Sequence, residues 1–310
     1  MELEEIAKKY GFKLQKDTKD DYSFKPVFTI WGDKGVGKTS FAFTFPGTIV
    51  AISYDGKTRI IKKKFVDMDP KNEERITVED LSVPQAIVNN PVSSMYILDL
   101  GEEIVEHTRF ILSNYKPDWF LFDGMDYLVQ HCEMYMRKGE TKEDGTPLGP
   151  FDGISNRNLW KKRNAYLRQL FRLGQKNANI GIMNTAYQTF VDVNEDDGTS
   201  KKIKTPKWSD IVMYETDFAF NIGTSFESRS GTTKFYTRVS TTKYDKIFQY
   251  GRVDDVTGYP TIINPLAFST GLENKKVENT PQKQLEQTSP KVAQEVHSEE
   301  SEGKEDFWDV

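Results

Sequence analysis

The residues with the most definite chemistry are Gly-Asp-Lys-Gly-Val-Gly-Lys-Thr at 32–39. Glycines at this spacing let successive backbone N–H groups turn inward around phosphate oxygens. Lys38 closes the loop, where it can reach β- and γ-phosphates, and Thr39 offers its hydroxyl to Mg²⁺. A helix that starts at the lysine adds favourable partial positive charge. Gly32, Asp33, Lys34, Gly35, Val36, Gly37, Lys38, Thr39 and Ser40 are the candidate triphosphate-binding residues. The alternative is a chance glycine turn, which an eight-residue pattern between a strand and a helix disfavours.

Mg²⁺ needs a further carboxylate, at the end of a buried strand beside the loop. Asp123 follows Trp119-Phe-Leu-Phe122 and precedes Gly124. The same position also suits an ordinary helix N-cap. Hydrolysis needs a group that orients and deprotonates water. Asp55 ends the strand after the loop's helix, and it reads either as that group or as the turn residue of Asp55-Gly56. Asn184 and Thr185 end a later strand and are candidate γ-phosphate sensors, with Gln188 beyond them. Any loop entry offers a similar polar cluster.

These side chains need a sheet to position them. Pro26-Val-Phe-Thr-Ile-Trp31 reads as a buried strand running into the loop, and the following helix stops before Pro46-Gly47. Further strands are expected at Thr48–Tyr54, Ser94–Leu98, Trp119–Asp123 and Ile180–Asn184. Helices are expected at Gly101–Asn114, 125–138 and about 157–175. A polar stretch covers 189–209, and residues 215–250 alternate as antiparallel strands. Strands that are near-continuous apolar runs, alternating with helices, predict an α/β fold: a mostly parallel central sheet with helices on both faces. The domain plan is an N-terminal extension (1–24), a core (25–272) and a disordered acidic tail (273–310) with an aromatic tip at Phe307 and Trp308.

The formal charge of −5 resides in that tail, where ten acids face five lysines; the remainder balances at 37 basic and 37 acidic residues. Net charge therefore does not decide whether the core meets nucleic acid. The single cysteine, Cys132, excludes an internal disulfide, and the three histidines show no zinc spacing. The start is acidic and no run approaches about 18 apolar residues, so no membrane association is expected and the protein reads as cytoplasmic, in the host cytoplasm if viral.

The order of these pieces resembles the RecA-like P-loop ATPases. More closely, it looks like the small viral nucleotide-binding proteins of that fold, which include phage single-strand annealing proteins. The resemblance covers about 24–266 and adds Phe45-Pro46-Gly47, Pro206-Lys-Trp-Ser-Asp210 and Ser240-Thr-Thr-Lys243 to the loop itself. It implies ATP as the nucleotide, Asp55 as the catalytic acid, Asp123 as the Walker B aspartate and Asn184-Thr185 as the sensor. The family's usual catalytic acid is glutamate, one methylene longer than Asp55.

In that family two loops line a DNA path, and here they correspond to about 137–156 and 189–209. Lys201, Lys202, Lys204, Lys207 and Trp208 are the candidate single-stranded-DNA contacts, since lysines neutralise phosphates and an aromatic stacks on bases. A solvated loop carrying Asp192, Glu195, Asp196 and Asp197 is the other reading. Lys161, Arg168 and Arg172 share one helix face that suits DNA, a neighbouring subunit or water. Lys243 reads either as a lysine acting in trans on a neighbour's γ-phosphate or as a surface residue. The expected protein is an ATP-hydrolysing homo-oligomer on single-stranded DNA in recombination, annealing or replication of a virus or mobile element. Alternatives are a packaging or helicase-type motor and a nucleotide-switched regulator without DNA contact. The Phe307-Trp308 tip reads as a protein-docking end or as part of a solubilising tail.

Overall fold

The computed structural model describes residues 24–83, 94–194, 200–207, 210–228 and 231–269. The elements are β1 (Val27–Gly32), α1 (Lys38–Ala42), β2 (Ile49–Ser53), α2 (Thr58–Met68), α3 (Asn72–Arg75), β3 (Ile76–Asp80), α4 (Ser94–Asn114), β4 (Trp119–Asp123), α5 (Met125–Arg137), α6 (Arg157–Asn177), β5 (Gly181–Asn194), β6 (Ser200–Pro206), α7 (Asp210–Glu215), β7 (Phe218–Glu227), β8 (Thr232–Thr242), β9 (Val253–Asp255) and α8 (Leu266–Ser269).

The nine strands form an α/β fold in the order β3-β2-β4-β5-β1-β7-β8-β9, with β6 paired to β5. The first six in that order run parallel, and β8, β9 and β6 add antiparallel pairs. Strands β1, β2 and β4 are buried end to end because both sheet faces are covered. Successive side chains alternate between the faces. Val27, Ile52, Phe120, Phe122 and Ile182 pack against α4, α5 and α6. Phe28, Ile30, Ala51, Leu121 and Met183 pack against α1, Phe65 of α2 and the returning segment with Phe248, Val256, Ile263 and Phe268. Phe28 is the hub of the second layer, with six aromatic rings at centroid distances of 5.0 to 6.2 Å. Emptying such a site costs about 3–5 kcal/mol.

Two elements differ from the sequence expectation. Residues 94–98 are the first turns of the 21-residue α4, not a strand. A five-residue apolar run carries no usable periodicity, and Gly101 suggested a helix start. Gly101 instead lets α4 meet α5, for a Cβ there would lie 2.5 Å from the Cβ of Met134. The strand beyond β2 is Ile76-Thr-Val-Glu-Asp80, whose half-exposed edge position hides it among polar residues. Second, the stretch from 189 is not simply a loop. It continues β5 and pairs with β6, from Gln188 opposite Pro206 to Asn194 opposite Ser200. No helix among the described residues is long and apolar enough to cross a membrane. The N-terminal extension before Phe24, the tail after 272 and its Phe307-Trp308 tip lie outside the described residues.

Candidate functional site

β1 ends at Gly32, between Tyr187 of β5 and Ile222 of β7. A Cβ at Gly32 would sit 2.5 Å from the Ile222 carbonyl oxygen. Glycine is what allows the chain to leave the sheet here. Gly35 and Gly37 hold φ of 84° and 91°, a left-handed backbone that other residues adopt only at a cost. This exit delivers Lys38 and Thr39 to the start of α1. That helix has five residues, so any anion affinity arises from the free N–H groups of its first turn, not from a long aligned dipole.

The loop, the segment that follows β2, the end of β4 and β5 together line a cleft of about 340 Å³. Lys38 Nζ donates to the carbonyls of Gly32 and Asp33 at 3.0 and 2.7 Å and lies 4.4 Å from the centre of the Tyr187 ring. Burial lowers its pKa to about 8, against the opposing pull of Asp123, Asp126, Asp33 and Asp55. Asp123 is buried and accepts from three hydroxyls: Thr39 at 3.0 Å, Thr58 at 2.7 Å and Thr185 at 2.5 Å. Burial raises its pKa, and those hydroxyls oppose the rise. Asp123 does not act as a helix cap, because no side chain caps α5 at Gly124.

Asp55 lines the same cleft. It also accepts from the Lys57 amide at 3.0 Å and pairs with the Lys57 ammonium at 3.5 Å. Its turn role and its place in the cleft therefore coexist. Thr185 reaches the cleft, but Asn184 does not. Neighbouring strand residues face opposite sides, and Asn184 is fully buried, accepting from Thr29 Oγ1 and donating to the Phe28 carbonyl. Ser40, Lys34, Gly35 and Gly37 of the loop line the cleft, and Val36 packs behind it.

Of the further lining residues that escaped the sequence reading, four bear most on the chemistry. Asp126, three residues past Asp123 on the first turn of α5, lines the cleft; burial raises its pKa, against the opposing pull of Lys207 and Lys38. The second acid in Asp123-Gly-Met-Asp126 was its visible signal. Tyr187 stands at the root of the β5–β6 hairpin, and burial raises its pKa to about 12. Phe235 of β8 and Tyr259 line the same cleft. Nothing in their local sequence points to a site over 200 residues from the loop.

The lysines separate. Lys207 sits at the hairpin root, its amide donating to the Tyr187 carbonyl at 2.6 Å. Lys202 and Lys204 lie out along β6, opposite Asp192 and Phe190. Lys201 pairs with Val193 through its backbone, and Trp208 lies outside the described residues. Lys243 is at the other end of the sheet. Its ammonium meets Asp217 at 3.2 Å and the Tyr214 carbonyl at 2.8 Å, while Asp217 accepts from the first amide of β1. On α6, Arg168 and Arg172 both pair with Glu215.

Neither a protein-family model nor a curated protein matches this chain. Its chemistry must therefore be read from the cleft. The donor set there suits Mg²⁺, which takes one or two carboxylates and leaves room for phosphate oxygens and water. Thr39 and Asp123 are adjacent, and Asp126 Oδ1 is buried with no hydrogen-bond partner.

Proposed function

We propose that this chain is a RecA-like, Mg²⁺-dependent ATPase that acts on single-stranded DNA in recombination, annealing or replication of a virus or mobile element. The observation that carries the reading is the meeting of Lys38 and Thr39, from one glycine loop, with Asp123 at the end of a parallel strand. In this reading the loop amides and Lys38 neutralise and orient the triphosphate. Thr39 and Asp123 hold Mg²⁺, directly or through water, and the ion supplies charge neutralisation at the phosphate oxygens. Thr58 and Thr185 keep the Asp123 carboxylate in one orientation. Asp55 and Asp126 are the two carboxylates available to orient water and accept its proton.

Support for a DNA role comes from the β5–β6 hairpin. It grows from the strand that carries Thr185 and Tyr187, and it presents Lys202 and Lys204 beside the exposed ring of Phe190. A nucleotide-switched regulator without DNA contact is the second reading, favoured by the pairing of Arg168 and Arg172 with Glu215.

The test is ATP hydrolysis with and without single-stranded DNA, beside Lys38→Ala. The expected result is hydrolysis that single strands stimulate and that the substitution abolishes. Hydrolysis indifferent to DNA moves the assignment to the switch, and no hydrolysis or binding of ATP by the unmodified chain rejects the ATPase.

A further inference from the structure

We propose that the rings of Phe235 and Tyr259 form the wall on which the nucleotide base stacks, so that the base is held by its face and not read at its edge. This rests on the nucleoside triphosphate reading of the cleft. Phe235 and Tyr259 line the same cleft as Lys38 and Thr39, together with Ile61 and Lys64, so a triphosphate held at Lys38 and Thr39 has both rings within the cleft that must also take its base. A small apolar recess bounded by Val36, Phe41 and Val256 continues behind the two rings.

The two rings belong to one hydrogen-bonded unit. The Phe235 amide donates to Thr257 Oγ1 at 2.9 Å, and the Val256 amide donates to the Phe235 carbonyl at 2.9 Å. The Tyr259 amide then closes a turn on the Val256 carbonyl at 3.1 Å. The turn is hung from β8 at Phe235 itself. Within it Gly258 has φ 78° and Tyr259 φ 63°. Among the described residues Tyr259 is the one non-glycine with a left-handed backbone, a conformation that bulky side chains seldom take and that clusters at ligand sites. It directs the Tyr259 ring beside Phe65, with 5.2 Å between centroids, and along the cleft wall. The Phe235 ring comes within 3.8 Å of where a Gly37 Cβ would be, which sets it directly beside the phosphate loop.

The chemistry of this wall follows from its composition. Two π faces and aliphatic carbon offer stacking to any base; the polar groups beside them are the Tyr259 hydroxyl, which can donate or accept, and the Lys64 ammonium on its long stem, and neither sets a pattern that separates adenine from guanine. Adenine and guanine are then held alike. A bare chain of phosphates gains nothing from the wall.

Calorimetric titration of the full chain with Mg²⁺ and ATP, GTP or inorganic tripolyphosphate tests this. Unmodified protein is expected to bind ATP and GTP within about threefold of each other, and both about tenfold or more tightly than tripolyphosphate, the scale of base–aromatic stacking. Phe235→Ala and Tyr259→Ala should erase most of that advantage while tripolyphosphate affinity stays put; Phe235→Tyr and Tyr259→Phe should keep it. Phe235→Leu replaces Phe235→Ala if melting shows the alanine variant unfolded. Three results overturn the proposal: tripolyphosphate binding as tightly as ATP, ATP preferred over GTP by tenfold, or ring removal weakening ATP and tripolyphosphate equally. In each of those cases the phosphate loop still binds its ligand and the ATPase reading stands. Failure of the unmodified protein to bind any of the three ligands rejects both.

Discussion

Two hairpins leave the sheet beside the glycine loop, and they have opposite surroundings. β7–β8 stays part of the molecule's body. β9 pairs along β8, Thr237 and Val239 are fully buried, and Phe235 faces the cleft. β5–β6 has no third strand and no covering layer among the described residues. Past Tyr187, β5 pairs with β6 alone, and Phe190 and Val191 are 57% and 47% exposed. The backbone pairing is of the same kind in both. What differs is burial, and a two-stranded ribbon without it is marginally stable in water. The first hairpin serves as a wall of the cleft; the second is an arm that leaves Phe190 and Val191 exposed.

The sharpest break of this contrast is a buried charge. Val239→Asp in the wall should cost on the order of 3 kcal/mol or more, read as a lowered urea midpoint, because the carboxylate has no partner in that layer. A cost near zero would mean that the wall is no more packed than the arm.

Between the hairpins lies Lys38, and its titration is the next largest effect. Burial holds its pKa down at about 8, so the ammonium must regain a proton to meet phosphate at higher pH. ATP affinity should therefore fall by up to about tenfold per unit above about pH 8, and Lys38→Arg should flatten the profile. An ordinary exposed lysine would show no fall until well above pH 9. The folding stability of the chain itself has the opposite sign. It rises with pH from about 8 toward the usual lysine range, because the unfolded chain still holds the proton that folded Lys38 has lost, and Lys38→Met removes that slope.

A smaller effect is expected on the arm. The double change Lys202→Ala with Lys204→Ala should weaken single-strand binding and lower its salt slope by about 1.4, at about 0.7 per phosphate contact, with the melting temperature unmoved. An unchanged slope would sever the arm from DNA. The smallest effect is Val191→Asp, which should shift stability by no more than about 0.5 kcal/mol. A large loss there would show that the arm packs on the body after all.

The central strands were legible because burial on both faces writes a continuous apolar run, as in Trp119–Phe122, and needs no distant information. The edge strand β3 was not, since Thr77 and Glu79 face partly outward and mimic a loop. The five residues of Thr189–Val193 looked like polar loop for a similar reason: with no core on either side, nothing imposes alternation. Asn184 and Thr185 were indistinguishable as candidates until strand register showed which of them faces the cleft.

By itself, the sequence determined the glycine loop, the lysine and threonine that follow it, and the α/β alternation around it. Those are properties of neighbouring residues, set by φ preference and hydrophobic period. Only the tertiary structure decided which carboxylates join the loop, that Arg168, Arg172 and Lys243 have partners within the chain, and that Phe235 and Tyr259 close the cleft. These depend on strand order and on contacts between residues up to about 220 positions apart, which local pattern does not encode.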